Sequence, residues 1–231
     1  MGSGRADHGG TRPVSSTSSS KWLLWLPALL LLVLAGACSE PDRPSITLFL
    51  AVQRGDLDQL ERHIHWGTDI DAALPNGQYP LHVATEKGRI ILVKTLLKHG
   101  AGIDRLTSNG ESALELAVLS GRIEIAEILL AKGATLDPSQ LMLKAATSGL
   151  TDRDSLRFLI EHGADLTQRD ENGDTALLIA IRQDNHRLAT HLVNAGADVN
   201  VETRDGETAL ELAHSIKAPE LVSLLRRFGA R

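Results

Sequence analysis

The chain has one cysteine, Cys38, among 231 residues. No disulfide can close within it, and cysteine usage says nothing direct about compartment. Aromatic residues make up only 3% of a sequence that is 42% hydrophobic, so a core must be packed from small aliphatic side chains. No block of lysine and arginine occurs, and the formal net charge is -5. This disfavours a nucleic-acid role, because phosphates demand a basic face. The apolar run from Trp22 to Ala37 holds 16 uncharged residues, short of the roughly 20 an untilted membrane-spanning helix requires.

Chemistry-bearing motifs are missing too. There is no glycine-rich phosphate loop, no HExxH, no GxSxG and no CxxC, and no spacing of Ser, His and Asp singles out a nucleophile with its base. Nine histidines invite a metal reading, and His63 and His65 are the close pair. They share one short helix end with no third ligand nearby in sequence, so a solvated pair is expected rather than a zinc site. No catalytic residue, metal or cofactor is expected. An unrecognised hydrolase or metal-binding protein stays open as a function of a different class.

What is present begins with MGSGRADHGGTRPVSSTSSSK, rich in Gly and Ser and without apolar periodicity, which predicts a disordered lead. Lys21, the short apolar core and the small residues at its end read as a secretory signal, with an uncleaved membrane anchor as the alternative. The residues Ala35-Gly36-Ala37-Cys38 resemble the lipobox of bacterial lipoprotein precursors, with Ala35 where that family most often has Leu. The resemblance implies cleavage before Cys38 and lipid attachment to its thiol, which gives the lone cysteine a reason to stand there. Ser39, not Asp, follows, and this resembles the sorting pattern of outer-membrane lipoproteins facing the periplasm. Loss of residues 1–37 removes Arg5, Arg12, Lys21 and Asp7, a net +2, which takes the formal charge from -5 to -7.

Beyond a short linker at 38–44 an internal repeat takes over. Gly67, Gly100, Gly133, Gly163, Gly196 and Gly229 are spaced 33, 33, 30, 33 and 33 residues apart, each closing a Leu-rich run as a left-handed helix stop. Tight-turn signals precede the helices in NGQYPLHVA, NGESALELA, NGDTALLIA and DGETALELA. Ser112, Thr175 and Thr208 stand where a hydroxyl can cap the first turn. The second helix of each unit, as in IEIAEILLAKG, carries an apolar face that one unit cannot bury alone. This pattern resembles the ankyrin repeat, whose TPLHxA signature is matched by Tyr79-Pro80-Leu81-His82-Val83-Ala84. Glu115, Leu178 and Glu211 replace the histidine in other units, which predicts weaker local hydrogen bonding. The fold expected is an all-α solenoid over 45–231, about five to six helix-turn-helix repeats with short β-hairpin turns. Unit boundaries fall near 45–71, 72–104, 105–137, 138–167, 168–200 and 201–231.

One unit is irregular. From Gly133 to Ala145 there are 12 residues where other units have 17, and from Gly149 to Leu159 there are 10 where Gly88 to Leu96 has 8. The spacing predicts a notch in the hairpin row and a longer loop, GLTDRDS, on the opposite edge.

The resemblance implies a protein partner bound by hairpin tips and first helices. Mapped onto this chain, that face holds Gln78, Glu86, Lys87, Glu111, Leu119, Ser120, Asp174, Arg182, Gln183 and Glu207. Arg182 and Leu119 are the strongest anchors expected, replaceable by Glu with little change in melting, and Arg153 on the opposite edge is the expected silent control. The acidic balance favours a basic partner. The function expected is a lipid-anchored interaction module of the bacterial envelope; the alternatives within this class are an immunity protein neutralising a toxin, or a helper of an envelope redox enzyme.

Overall fold

The computed structural model describes residues 40–74 and 77–231. The expected signal segment, the Ala35 to Cys38 motif and the lipid site lie outside them. Residues 40–42 carry no regular structure, and the repeat unit runs from Arg43 to Arg231. Among the described residues there are twelve α-helices and no strand. They come in six pairs: α1 (Leu48–Arg54) with α2 (Leu57–His65), α3 (Pro80–Glu86) with α4 (Ile90–Lys98), α5 (Ala113–Leu119) with α6 (Ile123–Ala131), α7 (Pro138–Thr147) with α8 (Arg153–Glu161), α9 (Ala176–Arg182) with α10 (His186–Asn194), and α11 (Ala209–Ser215) with α12 (Pro219–Arg227). No helix among the described residues is long and apolar enough to cross a membrane.

Local chemistry explains where each helix starts and stops. Ser112, Thr175 and Thr208 accept from the third backbone amide of α5, α9 and α11, as the sequence predicts. The six stop glycines all have positive φ, from 70° at Gly67 to 97° at Gly196, a region closed to most side chains. The expectation of weakened hydrogen bonding at Glu115 and Glu211 is overturned. Each carboxylate accepts from the backbone amide of its own N-cap residue, forming a complete capping box. His82 does a different job: its Nε2 donates to the Arg105 carbonyl at 2.9 Å, tying one unit to the next hairpin.

The core repeats with the chain. Leu96, Leu129, Leu159, Leu192 and Leu225 hold one position in successive second helices and are fully buried, each worth about 1.5–3 kcal/mol of transfer free energy. Phe158 is the one aromatic ring buried among the described residues, in keeping with the aliphatic composition. In α2 the matching position is His63, so the expectation of a solvated histidine pair fails. His63 is buried, with Nε2 donating to the Ile46 carbonyl at 2.8 Å and Nδ1 3.0 Å from the Thr68 hydroxyl. A polar ring is tolerated there because both nitrogens have partners.

The irregular unit breaks the stacking rule. Isolated bridges close the turns at Leu106 with Ser112, Arg169 with Thr175, and Glu202 with Thr208, while in 138–167 Asp137 caps a helix that begins at once with Pro138. The shortened stretch is thus recovered as an extra helical turn, making α7 ten residues against seven in the other first helices. First helices of neighbouring units pack closely except α5 and α7, whose contact is sparse, whereas second helices touch lightly throughout and most sparsely between α8 and α10. Helix α8 meets α6 as the other second helices meet their neighbours and also touches α5, while α7 packs on α9.

Candidate functional site

The candidate residues occur in a fixed register: one on each hairpin and one eight positions later, at the end of the first helix. A seven-residue helix is about 10 Å long, so a long side chain at its end can reach back to the hairpin. In the unit 72–104, Gln78 Nε2 donates to Glu86 Oε2 at 3.1 Å. In 168–200, Arg182 Nε donates to Asp174 Oδ2 at 2.6 Å and its Nη2 to Oδ1 at 3.4 Å. In 105–137 the pair is Glu111 and Leu119, which cannot join, and in 201–231 it is Glu207 and Ser215. The same scaffold positions therefore carry different chemistry in each unit.

Three cations on this face are already matched by carboxylates of the same face. Lys87 pairs with Glu86 at 3.3 Å and Arg182 with Asp174. Lys144 of α7 reaches Glu111 at 3.7 Å and Glu115 at 3.2 Å in the preceding unit. Sequence reasoning missed Lys144. The available signal was alignment: Lys144 stands where the other units have Val83, Leu116, Ile179 and Leu212. The Gln78 amide, followed by Lys87, holds the Glu86 carboxyl below its ordinary range. The Asp174 hydrogen bond raises the Arg182 guanidinium, helped by the nearby Glu207 and Asp205. The remaining field of the last two hairpins is acidic.

Two expectations change here. Arg182 is not a freely replaceable anchor, because the Asp174 carboxylate behind it is 6% exposed and depends on it. Leu119 and Arg153 do not lie on opposite edges. They line one cavity of about 670 Å³ together with Ser148, Gly149, Leu150, Thr151, Asp152 and Arg187. Arg153 therefore cannot serve as a silent control for Leu119. Gln183 is also committed, donating from Nε2 to the Thr147 carbonyl of the unit before at 2.9 Å, whereas Ser120 is exposed at the end of α5. Ser155 is buried, with its hydroxyl 2.7 Å from both Asp152 Oδ2 and the Val118 carbonyl. The Asp152 carboxylate caps α8 by accepting the Ser155 amide, and the hydroxyl links α8 to the unit before.

Comparisons with known proteins agree with this geometry. A family model described as ankyrin repeats (3 copies) matches residues 48–140 and 141–231. The rat ankyrin repeat and SAM domain-containing protein 6 is 38% identical over 88 residues, 37% of this chain and 10% of that protein. The chain thus spans about a tenth of the length of the curated relatives it matches. Among solved structures, a chain in the complex of the predatory endopeptidase Bd0816 from Bdellovibrio bacteriovorus with immunity protein Bd3460 is 25% identical, with a TM-score of 0.64, covering 80% of this chain and 99% of that one. The human ASB11 ankyrin repeat domain is likewise 25% identical, with a TM-score of 0.65, covering 80% and 85%.

Proposed function

Because this chain belongs to the ankyrin-repeat family, we propose that it is a protein-binding module of the bacterial cell envelope, held to the membrane by lipid on Cys38. Its partner is engaged through the hairpin and first-helix face. The observation that carries the binding half is the register described above: a buried leucine repeats unchanged through five units, while the paired positions on the face differ in every regular unit. Sequence freedom on a rigid scaffold is where recognition sits. The acidic surplus around Asp174, Asp205 and Glu207 favours a basic partner. The anchoring half rests on the resemblance of Ala35-Gly36-Ala37-Cys38 to a lipobox, and an outer-membrane, periplasm-facing location rests on Ser39.

Two experiments test the halves separately. Wild-type cells fed labelled palmitate should label this chain and Cys38→Ser cells should not; label on the serine variant removes the anchor. For binding, the partner is captured from detergent-solubilised membranes and remeasured with Glu111→Lys/Glu207→Lys. A drop of about tenfold or more is expected, and unchanged affinity moves the site off this face.

An immunity role is the second reading, favoured by the likeness to a chain from an endopeptidase–immunity protein complex, which extends over 99% of that chain and 80% of this one. On that reading, deletion of this chain is lethal unless an envelope toxin is deleted with it. A viable deletion with no suppressor removes it.

A further inference from the structure

The row of hairpin turns is interrupted where the irregular unit has lost its turn sequence, and the neighbours on each side show what is missing. In regular pairs the turn glycine lies against the following hairpin. The space beside Gly77 is closed by Ser108, whose hydroxyl is 3.3 Å from where a Cβ would stand, and that beside Gly173 by Arg204, also at 3.3 Å. Beside Gly110 there is nothing within 4 Å, as beside Gly206 in the last hairpin of the stack. Arg169 likewise crosses to the next hairpin and donates to the Glu202 carbonyl. Leu106 holds the register of Arg169, has no hairpin to cross to and is 56% exposed. Below it a cavity of about 260 Å³ opens toward Leu136 and Asp137 of the irregular unit.

On the far side of the gap, Glu171 holds the register of Ser108 and Arg204, the residues that cover a preceding turn glycine. It is exposed, and among the described residues it has no ion pair and no side-chain hydrogen bond. The surrounding charges are accounted for. Glu111 and Glu115 share Lys144. Asp104, Asp137 and Asp170 accept backbone amides, neutral donors that leave their charge uncompensated. Arg105 faces backward, paired with Asp71 at 3.8 Å and lying over Tyr79, and Arg169 is spent on the Gly173 and Glu202 carbonyls. The gap is therefore acidic, with an exposed leucine on one wall and a carboxylate without a cation on the other.

We propose that the gap receives a tight turn of the protein partner, which stands in for the missing hairpin. The proposal rests on the hairpin-face reading above and names the segment that enters it. Packed helices lie about 8–10 Å apart, so hairpins two units apart stand roughly 16–20 Å from each other, with the width of one hairpin between them. The register also sets the chemistry of the occupant. An aliphatic residue at the counterpart of Glu202 covers Leu106 and removes its apolar surface from water. A Lys or Arg beside the turn glycine, at the counterpart of Gly206, meets Glu171 and the acidic field around it. Both features fall within one five-residue turn.

The test uses the full chain in detergent and a displayed library of disulfide-closed turn peptides built on Asn-Gly, randomised at the flanking positions. Wild type should enrich turns with an aliphatic residue before the glycine and Lys or Arg beside it. Their affinity should fall about tenfold or more in Leu106→Arg/Glu171→Arg. Arginine already stands at both registers in the following units, as Arg169 and Arg204, so circular dichroism should be unchanged. Glu207→Lys, on the last hairpin, should leave turn binding as it is. Failure to enrich such turns overturns the proposal, as does binding that survives Leu106→Arg/Glu171→Arg or is lost in Glu207→Lys. Equal enrichment of linear peptides assigns the gap to an extended segment, and self-association lost in the double variant assigns it to a second copy; either overturns the proposal. The native partner separates this from the wider reading. A partner released by Glu111→Lys/Glu207→Lys but held by Leu106→Arg/Glu171→Arg leaves the hairpin face standing and removes the gap, whereas one held by both removes the face itself.

Discussion

Truncating Arg182 tests how far the hairpin face is structural as well as available for binding. Its guanidinium makes two contacts to Asp174, at 2.6 and 3.4 Å, and the Asp174 side chain is 6% exposed while that of Arg182 is 46% exposed. Arg182→Ala leaves a buried carboxylate without its cation, for which a penalty of about 1–3 kcal/mol is general. The exposed arginine site admits water, so the lower half, about 1–2 kcal/mol, applies. At about 2–4 °C per kcal/mol for a chain of this size, melting should drop by roughly 2–8 °C. Asp174→Ala removes the pair without stranding a charge, and the double variant closes a cycle whose coupling should be about 1 kcal/mol, shrinking as salt is raised. Urea unfolding followed by far-ultraviolet circular dichroism measures all four proteins. Coupling below about 0.3 kcal/mol refutes the argument and makes the ion pair incidental.

Three further outcomes are expected. His82 is fully buried with no hydrogen bond to Nδ1, and burial lowers its pKa from the ordinary 6.5. The unfolded chain then binds the extra proton more readily, so stability is full above 6.5 and falls as pH drops through and below that value. Urea midpoints of wild type should decline between neutral pH and mildly acidic pH, those of His82→Gln should decline less, and parallel curves contradict this. Leu129→Ala, at a site with no exposure, should cost about 2–5 kcal/mol in the same assay; a loss under about 1 kcal/mol means the cavity collapses. Lys217 has φ of 60° in a loop where four earlier units use Gly55, Gly88, Gly121 and Gly149 and one uses Asp184, and relief of left-handed strain by Lys217→Gly should outweigh the added chain entropy, raising stability by up to about 1 kcal/mol. A fall in stability would show that the lysine side chain is holding the loop.

The repeat was legible because it rests on local rules. Glycine stops, hydroxyl caps and the leucine period each need only neighbours in sequence, and Ser112, Thr175, Thr208 and the six stop glycines occupy the predicted places. The site was less legible because partners come from other units. Lys144 meets Glu111 and Glu115 only when two units stack, Gln183 meets Thr147 across a joint, and Leu119 and Arg153 share a cavity across two units. His63 was misread for the same reason: its partner Ile46 lies seventeen residues earlier, on the chain entering the first helix. The glycine spacing located the irregular unit, but not the direction in which its helices would lean.

That lean has a mechanical consequence. In a linear stack, units are held chiefly by nearest neighbours, and here one unit divides its allegiance: α8 rests on the helices before it, and α7 on the helix after it. The blocks on either side are therefore joined mainly through the seam where α7 meets α8, reinforced by the Lys144 ion pairs to Glu111 and Glu115. On this nearest-neighbour argument, bending is expected to concentrate in that seam rather than within the regular units on each side.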